Sequence, residues 1–388
     1  MPIAKRKVQN PALITPNLLK WVRETLRGMS IEESANMSKY SSEQIQAWED
    51  GSLDISIPQL KKLAHIYRTS IATFYLSTPQ PLNRKKLIDR RILPLKGPIF
   101  SSQLLRLIDT LSDKQEWLSQ SLKERGNIRI SFGNFSNKSF LKDIVSDMKS
   151  KLQVDMQEQM RTKDSREALH LWIERAESFG VNVCSISNKI PLEEFRAFVL
   201  YDEYAPFICL NPKDSNAGRL FSLCHELAHL WLRQSVISNI YEDNNEIEIL
   251  CNSIASKLLV DDKILHNLWS KRNQQVDLKE QISAIARKFS VSEECIARYL
   301  LDCDNISQEE YQELRELYNA RWKYIQNKKG TGGPAYGLRM VAENGAYFTQ
   351  QVLSQYHKGT ILGAEASSLL GVKINHFNAL TEHLPPRI

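Results

Sequence analysis

The chain has 388 residues, 42% of them hydrophobic and 25% charged, with a net charge of +6. That length exceeds one ordinary domain and suggests roughly two to four units. The mild positive charge permits nucleic-acid contact without arguing for it. The basic start Met1-Pro2-Ile3-Ala4-Lys5-Arg6-Lys7 is not followed by an apolar segment, so no secretory signal is expected. No run of about 18 apolar residues exists, which excludes a helical membrane span at this level. The six cysteines, Cys184, Cys209, Cys224, Cys251, Cys295 and Cys303, form no CxxC pair. They read as buried thiols of a reducing, cytoplasmic protein.

Residues 13–78 read as short helices. Leu18, Leu19, Val22 and Leu26 recur at helical spacing. Gly28 allows a turn, and Ser30 with Glu33 forms a capping box for a second helix carrying Ile31, Ala35 and Met37. A third helix covers 42–49, with Ile45 and Trp48 inward, and stops at Asp50-Gly51. Segments 58–67 and 71–76 complete five helices. The pattern resembles the XRE-type helix-turn-helix domain. Leu19, Ser30, Glu33, Ala35, Ile45, Trp48-Glu49-Asp50-Gly51, Leu60, Leu63-Ala64 and Phe74-Tyr75-Leu76 carry the resemblance. In such a motif the start of the recognition helix reads bases. Here that places Ser41, Ser42, Gln44 and Gln46 as candidate DNA contacts. Glu43, Glu49 and Asp50 count against phosphate binding. Lys20, Arg23, Arg27, Lys39 and the Lys5-Arg6-Lys7 arm count for it. A protein-docking role for the motif stays open beside a DNA-binding one.

Residues 79–125 read as a proline-containing basic linker (Arg84-Lys85-Lys86, Arg90-Arg91) and a connecting helix with Leu104, Leu107, Ile108, Leu111 and Trp117 on one face. Residues 126–165 carry no assignable element. A helix over 165–179 ends at Gly180. Val181 to Ile186 alternates as a strand, and 198–200 with 206–210 suggests a hairpin. A core helix then carries Leu220, Phe221, Leu223, Leu227, Leu230 and Trp231.

That helix holds His225-Glu226-Leu227-Ala228-His229. Residues four apart share a helical face, so both imidazoles can ligate one metal. Imidazole nitrogen suits Zn²⁺, and a catalytic zinc takes three protein ligands and one open position. Glu226, beside the first ligand, is placed to act as general base on a water and then to protonate a leaving amine. Downstream, Leu250, Cys251, Ile254, Ala255 and Leu258 mark a second buried helix, with Glu248 and Asn252 four apart. Glu248 is the preferred third ligand, over Glu242, Asp243 and Glu246, and Asn252 suits a hydrogen bond to a ligating histidine. Cys224 points about 100° away from His225 and is not expected to ligate.

This region resembles the ImmA/IrrE metallopeptidases. The carrying stretches are Phe198 to Asn211, Gly218 to Leu232 and Glu248 to Val260. Ser222 stands where Thr is more usual, and Asp261 where Pro is. The resemblance implies a compact zincin with one Zn²⁺ per chain on His225, His229 and Glu248, and Glu226 as base. It also implies cleavage of a specific protein partner, usually a helix-turn-helix repressor, in stress, mobile-element or toxin-linked settings.

The expected architecture is mainly α with a small β-sheet (α+β). It comprises a helix-turn-helix domain over 13–78, linker and helix over 79–125, a zincin-like peptidase domain over 126–275 with its core at 165–265, and a helical region over 276–388. The last region carries two further helix-turn-helix-like patterns, at 282–301 and 364–377, the latter after a Gly-rich turn at 330–333. The first reads as scaffold packing, the second as packing or partner-docking. A partner repressor or toxin, and DNA through 13–78, are the expected partners; a homo-oligomer stays open, and no membrane is expected. The alternative is a non-catalytic repressor or antitoxin whose zinc fold is dormant. Candidates for a transition-state donor are Arg219, Tyr204, Tyr241 and His266. The strand at 206–210, or its hairpin partner, is a candidate to pair with substrate backbone.

Overall fold

The computed structural model describes residues 11–26, 29–67, 69–78, 101–133, 135–136, 139–186, 190–233, 236–238, 246–326 and 335–385. The basic arm 5–7, Arg27, Gly28, the linker 79–100, Tyr241, Glu242, Asp243 and the turn 330–333 lie outside them. The chain forms two compact units, residues 1–112 and 113–388. Among the described residues no helix is long and apolar enough to cross a membrane.

In the first unit α1 (Pro16–Trp21) runs into a π-helical turn (Val22–Leu26), followed by α2 (Ile31–Ser38), α3 (Ser42–Glu49) and α4 (Ile57–Ile66). A 3₁₀ turn (Ile71–Tyr75) stands where an α-helix was expected. Local chemistry sets these ends. Ser30 and Glu33 form the capping box, Ser56 and Gln59 form another, and Ser41 caps α3. Gly51 ends α3 at φ +71°. Leu18, Leu19, Ile45, Trp48, Leu60, Leu63 and Phe74 make the core. Met37, expected inside, is 43% exposed. Its helix buries Ser34 and Ser38 instead, and the Ser34 hydroxyl meets Tyr67 Oη at 2.7 Å.

After α5 (Ser102–Glu124), the second unit contains α6 (Leu141–Leu152) and α7 (Met156–Met160) in the stretch that sequence left unassigned. The signal for α6 was present: Ile144, Val145, Met148 and Leu152 lie on one face and are buried. The five lysines and aspartates of the same helix (Lys142, Asp143, Asp147, Lys149 and Lys151) obscured it. Next come α8 (Ser165–Phe179), β1 (Asn182–Cys184), β2 (Ala197–Leu200), β3 (Phe207–Leu210), α9 (Asn216–Trp231), β4 (Val236–Ser238) and α10 (Glu246–Leu259). The sheet order is β1-β3-β2-β4. β1 runs parallel to β3, with Cys184 opposite Cys209. β2 is antiparallel to both β3 and β4, with Val199 opposite Ile208 and Val236. The segment 206–210 is therefore an interior strand, as is its hairpin partner. Both are already paired on two sides and cannot add a substrate strand; among the described residues β4 and β1 are the edges.

The strands β1 to β3 are buried throughout rather than alternately, as expected for a sheet covered on both faces. Ala197, Val199, Ile208 and Leu210 join the core that also contains Trp172, Leu220, Leu223, Leu227 and Trp231. On the other face Phe207 meets Phe348 edge-on, and Asn182 Nδ2 donates to Asn344 O at 3.0 Å. These partners come from α15 (Tyr336–Asn344) and α16 (Ala346–His357). α15 also accepts Ser185 N at Ala342 O, 2.8 Å away, so it covers backbone just beyond β1.

The main core continues past residue 275 into α12 (Leu278–Phe289), α13 (Glu293–Asp302) and α14 (Gln308–Gln326), through Ile282, Phe289, Ile296, Leu300 and Leu314. Ahead of them α11 (Asp262–Ser270) starts at Asp261, whose carboxylate accepts Lys263 N and Ile264 N. The unusual residue at 261 thus serves as a helix cap. The pattern at 364–377 resolves into α17 (Gly363–Leu370), a turn at Gly371, and α18 (Phe377–Thr381) after a 3₁₀ step.

Candidate metal centre

Two packed helices, α9 and α10, build the site. Ser215 caps α9 by accepting Gly218 N at 2.9 Å. Gly218 is required there because a Cβ would strike the Asp214 carboxylate. Leu220, Leu223, Leu227, Leu230 and Trp231 bury one side of α9 fully, each contributing about 1.5–3 kcal/mol by transfer from water. Trp231 Nε1 donates to Asp147 Oδ2 at 2.7 Å, which ties α9 to α6. This packing fixes the rotation of α9 and therefore the direction of its histidines.

His225 Nε2 and His229 Nε2 stand 3.1 Å apart. Glu248 reaches both from α10: Oε2 lies 3.0 Å from His225 Nε2 and Oε1 lies 3.3 Å from His229 Nε2. All three residues offer donor atoms within 4.8 Å of one another and can hold a metal ion. A tetrahedral ion at zinc–nitrogen distances of about 2.0–2.1 Å separates its donors by about 3.3 Å. The observed edges of 3.0, 3.1 and 3.3 Å match that set. The donors are sequestered: His229 is 0% exposed, His225 6%, and the Glu248 side chain 12%. Glu246, on the same helix, is exposed and is not among the converging residues.

Electrostatics follow from this enclosure. Burial alone depresses the basicity of His225, but Glu248, Glu226 and Asn252 outweigh it and raise its pKa. Burial likewise opposes ionisation of Glu248, yet its two histidine partners hold it well below the usual carboxylate range. Glu226 is 0% exposed and bears on His225 electrostatically. Asn252, although exposed, acts on His225. Sequence reading missed the partner of the other histidine: Cys251 Sγ lies 3.5 Å from His229 Nδ1. Cys251 carries no pattern signal beyond its place on the buried face of α10. Cys224 sits in the core, away from the ligand set.

Among the described residues, the candidate transition-state donors Arg219, His266 and Tyr204 are not among the groups that converge as metal donors. Arg219 is two helical turns before Glu226. His266 is exposed on α11, where it lines a cavity of about 240 Å³ with Trp269, Tyr299 and Cys303. Tyr204 Oη accepts from Arg129 Nε at 3.2 Å. Tyr241 is outside the described residues.

In the first unit, Ser41 and Gln46 are exposed, and Ser42 and Gln44 half-buried. The Ser41 hydroxyl is engaged as a cap, accepting Gln44 N at 3.2 Å. Glu49 is not a surface charge. It is 2% exposed and takes a two-point contact from Arg23, Nε–Oε1 2.6 Å and Nη2–Oε2 2.8 Å. It therefore does not repel phosphate, and Arg23 does not contact it. Lys20 and Lys39 remain exposed.

Residues 176–301 match the family model of the IrrE N-terminal-like domain, Peptidase_M78. The match lies within the second unit and spans the sheet, the three converging donors and α13. No curated protein matches the chain.

Proposed function

We propose that the chain is a zinc-dependent endopeptidase that acts on a specific protein partner, such as a helix-turn-helix repressor or a toxin. The carrying observation is the convergence of His225 Nε2, His229 Nε2 and the Glu248 carboxylate beside the buried Glu226. The likeness of 176–301 to an ImmA/IrrE-type peptidase domain supports it. The chemistry that a bound Zn²⁺ supplies there is Lewis acidity, which polarises a peptide carbonyl and lowers the pKa of water. Glu226 takes the proton of the attacking water and delivers it to the leaving amine nitrogen. Glu248 neutralises part of the metal charge, and Cys251 and Asn252 orient the two imidazoles.

Residues 13–78 supply recognition in this reading, of DNA or of the partner, through Ser41, Ser42, Gln44 and Gln46. A second reading, a dormant metal fold in a repressor or antitoxin, draws on the complete burial of Glu226. The test is metal content and cleavage together. The wild type holds one zinc and cleaves a co-encoded repressor or toxin, His229→Ala loses zinc, and Glu226→Gln keeps zinc but loses cleavage by about 10²–10⁴. Zinc-loaded wild type that never cleaves such a partner favours the second reading.

A further inference from the structure

Arg219 has features that neither the ligand set nor the proton transfer uses. It precedes Glu226 by seven residues on α9, which is two turns, so the two side chains leave the same face about 10.5 Å apart along the axis. The side chain is half-buried. Nη2 donates to Ser185 Oγ at 3.2 Å, and Nε is buried with no hydrogen-bond partner. Among the described residues no carboxylate reaches ion-pair distance from it. Asp214 bears on Arg219 electrostatically, but its oxygens are engaged elsewhere: Oδ2 meets Arg196 Nη1 at 3.4 Å, and Oδ1 accepts Ser215 N at 2.8 Å. Burial also raises the Asp214 pKa, which weakens it as a counter-charge.

Arg166 bears on the same corner: burial first, then Arg166 and Arg219, lower the pKa of His170 on α8, while Asp164, whose Oδ1 caps α8, opposes them. A guanidinium with spare donors, little opposing charge and partial desolvation is suited to a carboxylate, which it can grip at two points.

We propose that Arg219 is a specificity residue that binds an aspartate or glutamate side chain of the substrate, with Arg166 adding to the attraction. Extended peptide advances about 3.3 Å per residue, so the acidic residue sits roughly three or four positions from the bond that is cut. The substrate class is an acidic peptide segment. This inference rests on the endopeptidase reading and names its selectivity.

The test uses the full chain loaded with zinc, and peptide hydroxamates as probes, because a hydroxamate reports access to the metal without turnover. Paired probes differ only in Asp or Glu against Asn or Gln, three or four residues from the hydroxamate. The expected result is about tenfold tighter binding of the acidic probes by wild type. That preference disappears in Arg219→Met, while zinc content and affinity for the neutral probe are unchanged. Equal binding of both probes by wild type, or a preference that survives in Arg219→Met, overturns the subsite and leaves the peptidase reading intact. If zinc-loaded wild type binds neither probe, the peptidase reading falls and takes the subsite with it. Should Arg219→Met fail to fold, Arg219→Lys decides: a reduced preference supports the two-point grip, and an undiminished one overturns it.

Discussion

Cys251 Sγ lies 3.5 Å from His229 Nδ1, so a thiol, and not the amide at 252, is the partner of the second histidine. The thiol is a weak hydrogen-bonding group, and burial pushes its pKa well up, so it stays protonated. With His229 Nδ1–H donating to the sulfur, Nε2 carries no proton and can take a metal. Cys251→Ala is expected to weaken zinc binding by about tenfold, the low end for such partners. Cys251→Ser retains a group able to hydrogen-bond and loses less. Competition with a zinc-sensitive chelating dye measures both; equal affinity in all three proteins contradicts the role.

The Arg23–Glu49 pair anchors the first unit, joining the π-helical turn to the end of α3 and also capping Met29 O at 2.7 Å. Breaking a buried pair by removing one partner leaves the other charge stranded. Glu49→Ala is expected to lower the stability of this unit by about 3–5 kcal/mol. Urea unfolding followed by fluorescence of Trp48, which is buried there, reads the change. A loss below about 1 kcal/mol means that the pair contributes little.

Glu177 gives stability a pH dependence. Burial pushes its carboxyl up to about 7 from an ordinary 4.5, against the pull of the Tyr347, Val183 and Ala346 amides. Between those values the native state keeps a proton that the unfolded chain has released. Stability therefore falls as pH rises from about 4.5 to about 7 and levels off above. Glu177→Gln keeps an acceptor for Tyr347 N, which donates at 3.1 Å, and cannot ionise. It is expected to flatten this dependence and to be more stable than wild type at alkaline pH. Urea midpoints taken at both ends of the window make the comparison, and parallel curves for the two proteins count against it.

Gly218 is a steric requirement of the α9 entry, since a Cβ meets the Asp214 carboxylate. Gly218→Ala displaces Asp214 from Arg196 and disturbs the Ser215 cap. A stability loss of about 1–3 kcal/mol is expected from this overpacking. Zinc affinity should change little, because His225 lies two turns further on. A thermal shift without change in metal content checks both halves.

Local pattern determined much of this molecule from the sequence alone. The four-residue spacing of His225 and His229 places both on one face of any helix they form. Ser30 with Glu33 announces a helix start, Gly180 a helix end, and the buried run 220–231 a core helix. Glu248 was legible because its own helix carries an apolar face that orients it. What the tertiary structure alone decided involves partners far apart in the chain. Cys251 and His229 are 22 residues apart, and Arg23 and Glu49 are 26. No periodicity connects such pairs, and each side chain taken singly looks like an ordinary buried thiol or surface charge. The interior position of β3, the short β4 and the covering of the sheet by α15 and α16 likewise depend on which strand edges meet. Backbone pairing between distant segments follows from the packing of the whole unit, and so does the half-buried guanidinium of Arg219, which donates to Ser185 and lies at ion-pair distance from no described carboxylate.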